Sequence, residues 1–281
     1  MVKCRVFLLG DGAVHMGGAA VPIPAACWPI LGFVATQPRR EASRARLAGM
    51  LWPGMLDEAA RRCLATALWR LKAAFQSSAM PLSIGSESVA IPAELAGAID
   101  IVRLEWHAGF VLRARALPGT DYRRRAIRLL LNANGDFLSG IDAEWAALER
   151  ERLRCLRLDA LYALARFAER AGDWAAVIDA ARPICAAEPL REDAQRLLIA
   201  AYARTGNRGL ALRQYNACQD ALMRELGITP MPETAALAEA LHGSGLAMAP
   251  GATPAARSAL LKARRSMQSA ITLVDQVLGT P

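Results

Sequence analysis

The sequence lacks the features that mark membrane, secreted and metal-binding proteins. No run of 18 or more apolar residues occurs among the 281 residues, so no membrane-spanning helix is predicted. The apolar run at the N-terminus is too short for a signal peptide, and the six cysteines include no CxxC pair. His15, His107 and His242 are isolated, which argues against a metal site. We therefore expect a cytoplasmic protein with reduced cysteines and no cofactor.

Motifs for catalysis and nucleotide binding are also missing. Gly10-Asp11-Gly12 is not followed by a helix that opens with GK[ST], so it predicts a hairpin turn and not a phosphate loop. No Ser/His/Asp or Cys/His arrangement stands out, and no acidic cluster suggests metal-assisted chemistry. An enzyme is therefore the least favoured class, and we expect none.

The composition is globular, and its basic charge is unevenly distributed. A hydrophobic content of 54% with 21% charged residues excludes a disordered chain, and the length predicts two domains. Of the net charge of +8, residues 1–92 carry +5, residues 93–245 carry none and residues 246–281 carry +3. A basic N-terminal domain followed by a domain without net charge is typical of a protein whose first domain binds nucleic acid.

The first 92 residues predict two small sheets and three helices. Residues 4–9 alternate and are followed by the turn at 10–12 and by further short strands over 13–23. Residues 28–36 predict a short apolar helix. Residues 82–84 and 89–91 predict a hairpin around Gly85-Ser86-Glu87-Ser88. This order of sheet, three helices and terminal hairpin predicts a winged helix-turn-helix.

Two of these helices would form the helix-turn-helix. Ser43 is predicted to be the N-cap of a helix with Leu47, Met50 and Leu51 directed inward, and Pro53-Gly54 ends it. The next helix spans Asp57–Phe75 and has an apolar face formed by Leu64, Leu68, Leu71 and Phe75.

The opposite face of that helix carries Arg62, Thr66, Trp69, Arg70 and Ala73. Guanidinium groups, a hydroxyl and an aromatic ring suit a helix in the major groove of DNA. A solvated surface helix is the alternative. Trp69 could instead cover a domain interface.

Residues 93–245 are predicted to be helical and contain an internal repeat. Leu164, Gly172-Asp173 and Ala176 are matched 34 positions later by Leu198, Gly206-Asn207 and Leu210, and 34 residues is the tetratricopeptide period. Pro189 and Pro230 close successive units, and a degenerate third unit is expected over roughly 95–145. A generic helical bundle is the weaker alternative.

Five segments of the helical region then resemble a known family, the bacterial transcriptional activator domain. They are residues 144–154 (EWAALERERLR), 171–174 (AGDW), 189–194 (PLREDA), 211–215 (ALRQY) and 225–234 (ELGITPMPET). Together with the N-terminal module, residues 3–242 resemble regulators of the Streptomyces antibiotic regulatory protein (SARP) type. In these proteins an OmpR-like winged helix precedes three tetratricopeptide-like repeats.

The resemblance implies a mainly α protein and a transcriptional activator that binds direct repeats in double-stranded promoter DNA and contacts RNA polymerase. It implies domains at 1–92 (winged helix) and 93–245 (activator domain). The residues expected to meet bases or phosphates are Arg44, Arg46, Arg61, Arg62, Thr66, Trp69, Arg70 and Ala73. The hairpin tip departs from the usual pattern because it carries Glu87 and no basic residue.

Two further hypotheses stay open at this point. A tetratricopeptide adaptor whose N-terminal domain binds protein or RNA would not need Arg62 and Arg70 on an outward face. Residues 246–254 predict a linker, and Thr253-Pro254 opens a predicted C-terminal helix with an apolar stripe. That stripe would either cap the repeats or pair with a second subunit in a homodimer.

Overall fold

The computed structural model describes residues 4–75 and 80–243, and it is mainly helical with two small sheets. The linker and helix predicted over 246–281 lie outside the described residues. Within those residues, no helix combines the length and the apolar character needed to cross a membrane.

The first sheet is formed by three antiparallel strands, β1 (Cys4–Phe7), β2 (Ala13–Met16) and β3 (Ala19–Val21). Strand β1 pairs with β2 from Cys4 opposite Met16 to Phe7 opposite Ala13. The predicted turn at Gly10-Asp11-Gly12 connects them. Both glycines adopt positive φ (86° and 87°), which favours glycine over any residue with a Cβ.

The next helix, α1 (Trp28–Thr36), is the most apolar element of the fold and follows a 3₁₀ turn at Ala25–Cys27. Six consecutive residues, from Ile30 to Ala35, are buried. A helix that is apolar on all sides has to be covered on all sides. Accordingly, α1 packs against the helix-turn-helix and also against the first long helix of the repeat region.

The helix-turn-helix consists of α2 (Arg44–Leu51) and α3 (Asp57–Phe75). The Ser43 hydroxyl accepts a hydrogen bond from the Arg46 amide at 3.2 Å, which confirms the predicted N-cap. Leu47 is fully buried, but the expectation that Met50 points inward is wrong, because its side chain is 40% exposed. Met50 faces an open cleft between α2 and the repeat region.

The second sheet contains the predicted hairpin and a strand that was not predicted. Strands β5 (Ser83–Ile84) and β6 (Ser88–Ala90) form the hairpin, and β4 (Glu41–Ser43) pairs with β6 on its other side. The register places Ala42 opposite Val89. Because β4 leads directly into α2, this pairing fixes the start of α2 beside the hairpin.

The remaining helices form the repeat region. They are α4 (Ala93–Ala96), α5 (Asp100–Arg113), α6 (Thr120–Asn132), α7 (Glu144–Arg170), α8 (Trp174–Ala187), α9 (Glu192–Arg204), α10 (Arg208–Leu226) and α11 (Pro232–Gly243). Helices α7 and α8 form one antiparallel pair and α9 and α10 the next. The turns at Gly172 and Gly206 have φ of 70° and 78°, which confirms the repeated turn predicted at the 34-residue offset.

The predicted third unit holds α5 and α6, but its packing differs from that of the two pairs. Helix α5 packs chiefly on α7 and only slightly on α6, while α6 lies against α7 and α8. Helix α5 also contacts β1 and α1, so it packs against both the winged helix and the repeats.

Aromatic and charged residues connect the two regions. Trp145 of α7 packs edge-on against Phe33 of α1, with ring centroids 5.3 Å apart. Glu105 of α5 forms ion pairs with Arg40, which precedes β4, and with Arg152 of α7 at 2.6 Å. Most buried apolar residues of both regions belong to one continuous cluster.

Candidate nucleic-acid interface

The two faces of α3 separate clearly. Leu64, Leu68, Leu71 and Phe75 are at most 3% exposed and hold the helix against α2 and the 3₁₀ turn. The opposite surface, which we call the α3 face, consists of exposed residues: Arg61, Arg62, Ala65, Thr66, Trp69, Arg70, Lys72 and Ala73. All six predicted site residues in this helix lie on that face.

The α3 face is basic beyond its first turn. Asp57 and Glu58 lie in the first turn, where the helix dipole stabilises carboxylates, and four cations follow. These are Arg61, Arg62, Arg70 and Lys72. Within residues 4–75 and 80–243, no hydrogen bond or ion pair engages any of the four side chains. Their charges are therefore available to an anionic partner.

Thr66 and Trp69 provide different chemistry in the middle of the face. The Thr66 hydroxyl donates to the backbone carbonyl of Arg62 at 3.0 Å, so its proton is used within the helix. Its methyl group and a free lone pair remain for contact. Trp69 is 69% exposed, so among the described residues it does not cover a domain interface.

Arg44 lies between the helix-turn-helix and the hairpin. Its backbone amide donates to the Glu87 carbonyl at 2.8 Å, and its guanidinium donates to the Gly85 carbonyl at 3.3 Å. A cleft of about 380 Å³ brings Arg44 and Arg61 together with the hairpin tip at Ser86 and Glu87. The exposed Glu87 places an acid beside two arginines at this edge of the α3 face.

Arg46 occupies a different place. Its guanidinium lies 5.7 Å from the centroid of the Phe33 ring, on the α1 side of α2. It lines a shallow cleft with Arg39 and Glu41. The structure thus groups Arg44 with the α3 face and places Arg46 with Arg39 at the neighbouring edge.

Three exposed residues beside the predicted contacts were not among the residues expected to meet DNA, although Lys72 belongs to the recognition-helix pattern that the resemblance implies: Ala65, Lys72 and Arg39. Ala65 and Lys72 follow from helical spacing once the α3 face is extended to its full width. Arg39 could not be found in this way, because it precedes the unpredicted strand β4.

Comparisons with known proteins agree with this architecture. Residues 99–242 match the model of the bacterial transcriptional activator domain, which is half of the chain. The chain belongs to this family of SARP-type transcriptional regulators. The family and the overall fold expected from the sequence are thereby confirmed.

Two curated relatives are both regulatory protein AfsR. The chain is 28% identical to the Streptomyces coelicolor protein over 194 residues, which is 69% of this chain and 19% of that protein. It is 30% identical to the Streptomyces griseus protein over 141 residues, which is 50% of this chain and 14% of that protein. The chain therefore matches less than a fifth of the length of these relatives.

A solved structure shares the fold. It is Mycobacterium tuberculosis EmbR in complex with a low-affinity phosphopeptide, with a TM-score of 0.62 and 20% identity. The superposition covers 98% of this chain and 72% of that chain.

Proposed function

We propose that this protein is a sequence-specific DNA-binding transcriptional regulator that inserts α3 into the major groove. The observation that carries the proposal is the α3 face, which sets a threonine, an exposed tryptophan and four cations opposite a buried apolar face. Those cations have no ion pair within the part of the chain that the structure describes. Arginine recognises guanine edges and phosphates, and apolar groups contact the thymine methyl. A helix that served only to close the core would not need this composition.

The predicted site residues take two roles in the proposal. Arg61, Arg62, Thr66, Trp69, Arg70 and Ala73 face the groove from α3. Arg44 and Arg46 contact phosphates beside the groove, because both lie in the first turn of α2 and line neighbouring clefts. The hairpin tip does not contact phosphate in the proposal, because the negative charge of Glu87 would repel it.

Membership of the family supports the finer parts of the proposal. In the proposal, residues 1–92 bind promoter DNA, residues 93–245 form the activator domain and residues 246–281 form a linker and helix. The protein activates transcription at direct repeats, where two copies bind side by side, and contacts RNA polymerase. It acts in the bacterial cytoplasm, associated with the nucleoid.

DNA binding is tested by selecting the preferred DNA sequence of the protein from a random pool. The full chain is used to select duplexes from a random pool, and the enriched duplex and a scrambled version are titrated by fluorescence anisotropy at several salt concentrations. We expect the enriched duplex to bind about 10³-fold or more tightly than the scrambled one. Binding of both should weaken as salt rises, because bound phosphates release counterions.

The same experiment separates the regulator from the adaptor hypothesis. A tetratricopeptide adaptor would enrich no sequence and would bind both duplexes equally. Activation is tested separately by run-off transcription with purified RNA polymerase on a template that carries the enriched duplex. More transcript than on the scrambled template is expected, and an equal or smaller amount contradicts the activator assignment.

A further inference from the structure

A cleft at the junction of the winged helix and the repeat region has no role in the proposed DNA binding. It lies between α2 and the start of α7 and has a volume of about 660 Å³. We call it the junction cleft. Its apolar lining comes from both regions: Met50, Leu51, Pro53, Ile141, Trp145 and Leu148. Pockets for small organic ligands have volumes of about 300–1,000 Å³ and are preferentially found at domain interfaces.

The floor and the mouth of the cleft differ in exposure. Trp145 forms the floor: it is 9% exposed and packs edge-on against Phe33 and Phe137. Met50 and Leu148 at the mouth are 40% and 67% exposed. Large apolar side chains that line an open concave surface of this size indicate a surface that gains from being covered.

Two carboxylates give the junction cleft its charge. Asp142 and Glu144 lie at its wall, and both are exposed. Within residues 4–75 and 80–243, neither carboxylate has an ion pair or a hydrogen bond. Among the described residues that line the cleft, none is basic. Charge complementarity therefore favours a positively charged ligand over a neutral or an anionic one.

We propose that the junction cleft binds a small organic cation, namely an amine with a large apolar body. The apolar body would lie on Trp145, between Leu51 and Leu148, and the ammonium group would lie beside Asp142 and Glu144. Because the cleft joins α2 to α7, such a ligand would connect the helix that precedes α3 with the repeat region. The proposal does not rest on the proposed function, and its test uses no DNA.

The structure also offers a substitution that fills the cleft. Gly49 lines it from α2, and a Cβ at this position would meet no atom within 4 Å. Its φ is not in the left-handed region, so Gly49→Leu is compatible with the helix and improves helix propensity. Gly209 in α10 is an equally open helical glycine that does not line the cleft, and Gly209→Leu is the matched control.

The probe is dansylcadaverine, a fluorescent primary amine, titrated into the full chain while the dansyl emission is followed. Dansyl-6-aminohexanoic acid carries the same fluorophore and the same five-methylene chain with a carboxylate in place of the amine. We expect the amine to bind about tenfold more tightly than this acid. In the double variant Asp142→Asn/Glu144→Gln that preference should fall to about twofold or less, because exposed charge pairs each contribute a factor of up to about five.

The variants complete the test. Gly49→Leu should weaken dansylcadaverine binding at least tenfold, and Gly209→Leu should leave it unchanged, with both proteins folded by circular dichroism. Equal binding of the two probes, or an amine preference that survives in the double carboxylate variant, overturns the proposal. Unchanged binding in a folded Gly49→Leu protein also overturns it. If Gly49→Leu does not fold, the double carboxylate variant decides, because both of its positions are exposed.

Discussion

The carboxylate of Asp100, at the start of α5, accepts a hydrogen bond from the backbone amide of Leu8 at 2.9 Å. It also accepts the amides of Leu9 at 3.0 Å and Ile101 at 2.7 Å. The end of β1 is held further by pairing with the segment before α7, where the Leu138 amide donates to the Leu8 carbonyl at 2.8 Å. One half-buried side chain thus fixes the end of the first strand of the winged helix to the repeat region.

Replacing Asp100 by Asn is expected to destabilise the fold. The amide side chain offers one acceptor oxygen where the carboxylate offers two, so at least one of the three N–H donors would lose its partner. We expect the free energy of unfolding to fall by about 1–3 kcal/mol at neutral pH, measured by urea denaturation. Asp179→Asn, at an exposed carboxylate in α8, is the control and should change stability little.

The same substitution should remove a dependence on pH. Burial raises the pKa of the Asp100 carboxyl above its ordinary value of 3.8, and the N–H donors offset this only in part. The folded protein therefore holds this proton more tightly than the unfolded chain does. The stabilising contribution is complete below pH 3.8 and is lost as pH rises through the raised pKa. If Asp100→Asn shows the parent's pH dependence in this window, the titration of Asp100 is not its cause.

Gly32 in α1 shows how closely the two regions approach. A Cβ at Gly32 would lie 2.4 Å from Cδ1 of Leu138 and 3.0 Å from the Phe137 ring, both in the segment before α7. Gly32→Ala is therefore expected to lower the free energy of unfolding by about 1–3 kcal/mol, although alanine favours helices. Gly49→Ala, at an open helical position in α2, should be neutral or stabilising in the same assay. Equal effects of the two substitutions would contradict the close approach.

The sequence predicted long periodic elements well and contacts between distant segments poorly. Helix α3 begins at the predicted residue and is helical throughout Asp57–Phe75, because about five turns of regular spacing leave one consistent assignment. Strand β4 was missed because three residues carry no usable alternation. The bond from Leu8 to Asp100 joins residues 92 positions apart, so it depends on how two separate elements dock. The predicted α3 site followed from local spacing, whereas the junction cleft exists only because α2 and α7 meet.

Arg44 is expected to contact phosphate, and its substitution should affect all sequences alike. Its guanidinium already donates to the Gly85 carbonyl, which leaves further N–H groups of the same side chain for DNA. Arg44→Ala should weaken binding of both the enriched and the scrambled duplex and should reduce the slope of log K against log salt by about one unit. A loss confined to the enriched duplex would instead assign Arg44 to base recognition.

Trp69 is expected to contribute to DNA binding and little to stability. Because 69% of its surface is exposed, Trp69→Ala removes few packing contacts, and the free energy of unfolding should change by less than about 0.5 kcal/mol. Affinity for the enriched duplex should fall, since the ring would lose its contact with sugar-phosphate or a thymine methyl. A large loss of thermal stability with unchanged DNA affinity would show that Trp69 serves the fold, through residues that the structure does not describe.

Arg70 gives the sharpest test of the α3 face. It is exposed and unpaired among the described residues, and it lies one helical turn beyond Thr66 on the side opposite the buried leucines. Arg70→Ala should weaken binding to the enriched duplex by about 1–3 kcal/mol and relax the preference at one base pair of the selected sequence. The control is Arg182→Ala in α8, which removes an exposed arginine outside the winged helix. This arginine is also unpaired among the described residues, so the substitution should leave DNA binding unchanged.

If Arg70→Ala and Arg182→Ala have the same effect on DNA binding while both proteins remain folded by circular dichroism, α3 is not the recognition helix. If Arg70→Ala weakens the enriched and scrambled duplexes equally, Arg70 contacts phosphate and the base contact must come from another residue of the α3 face.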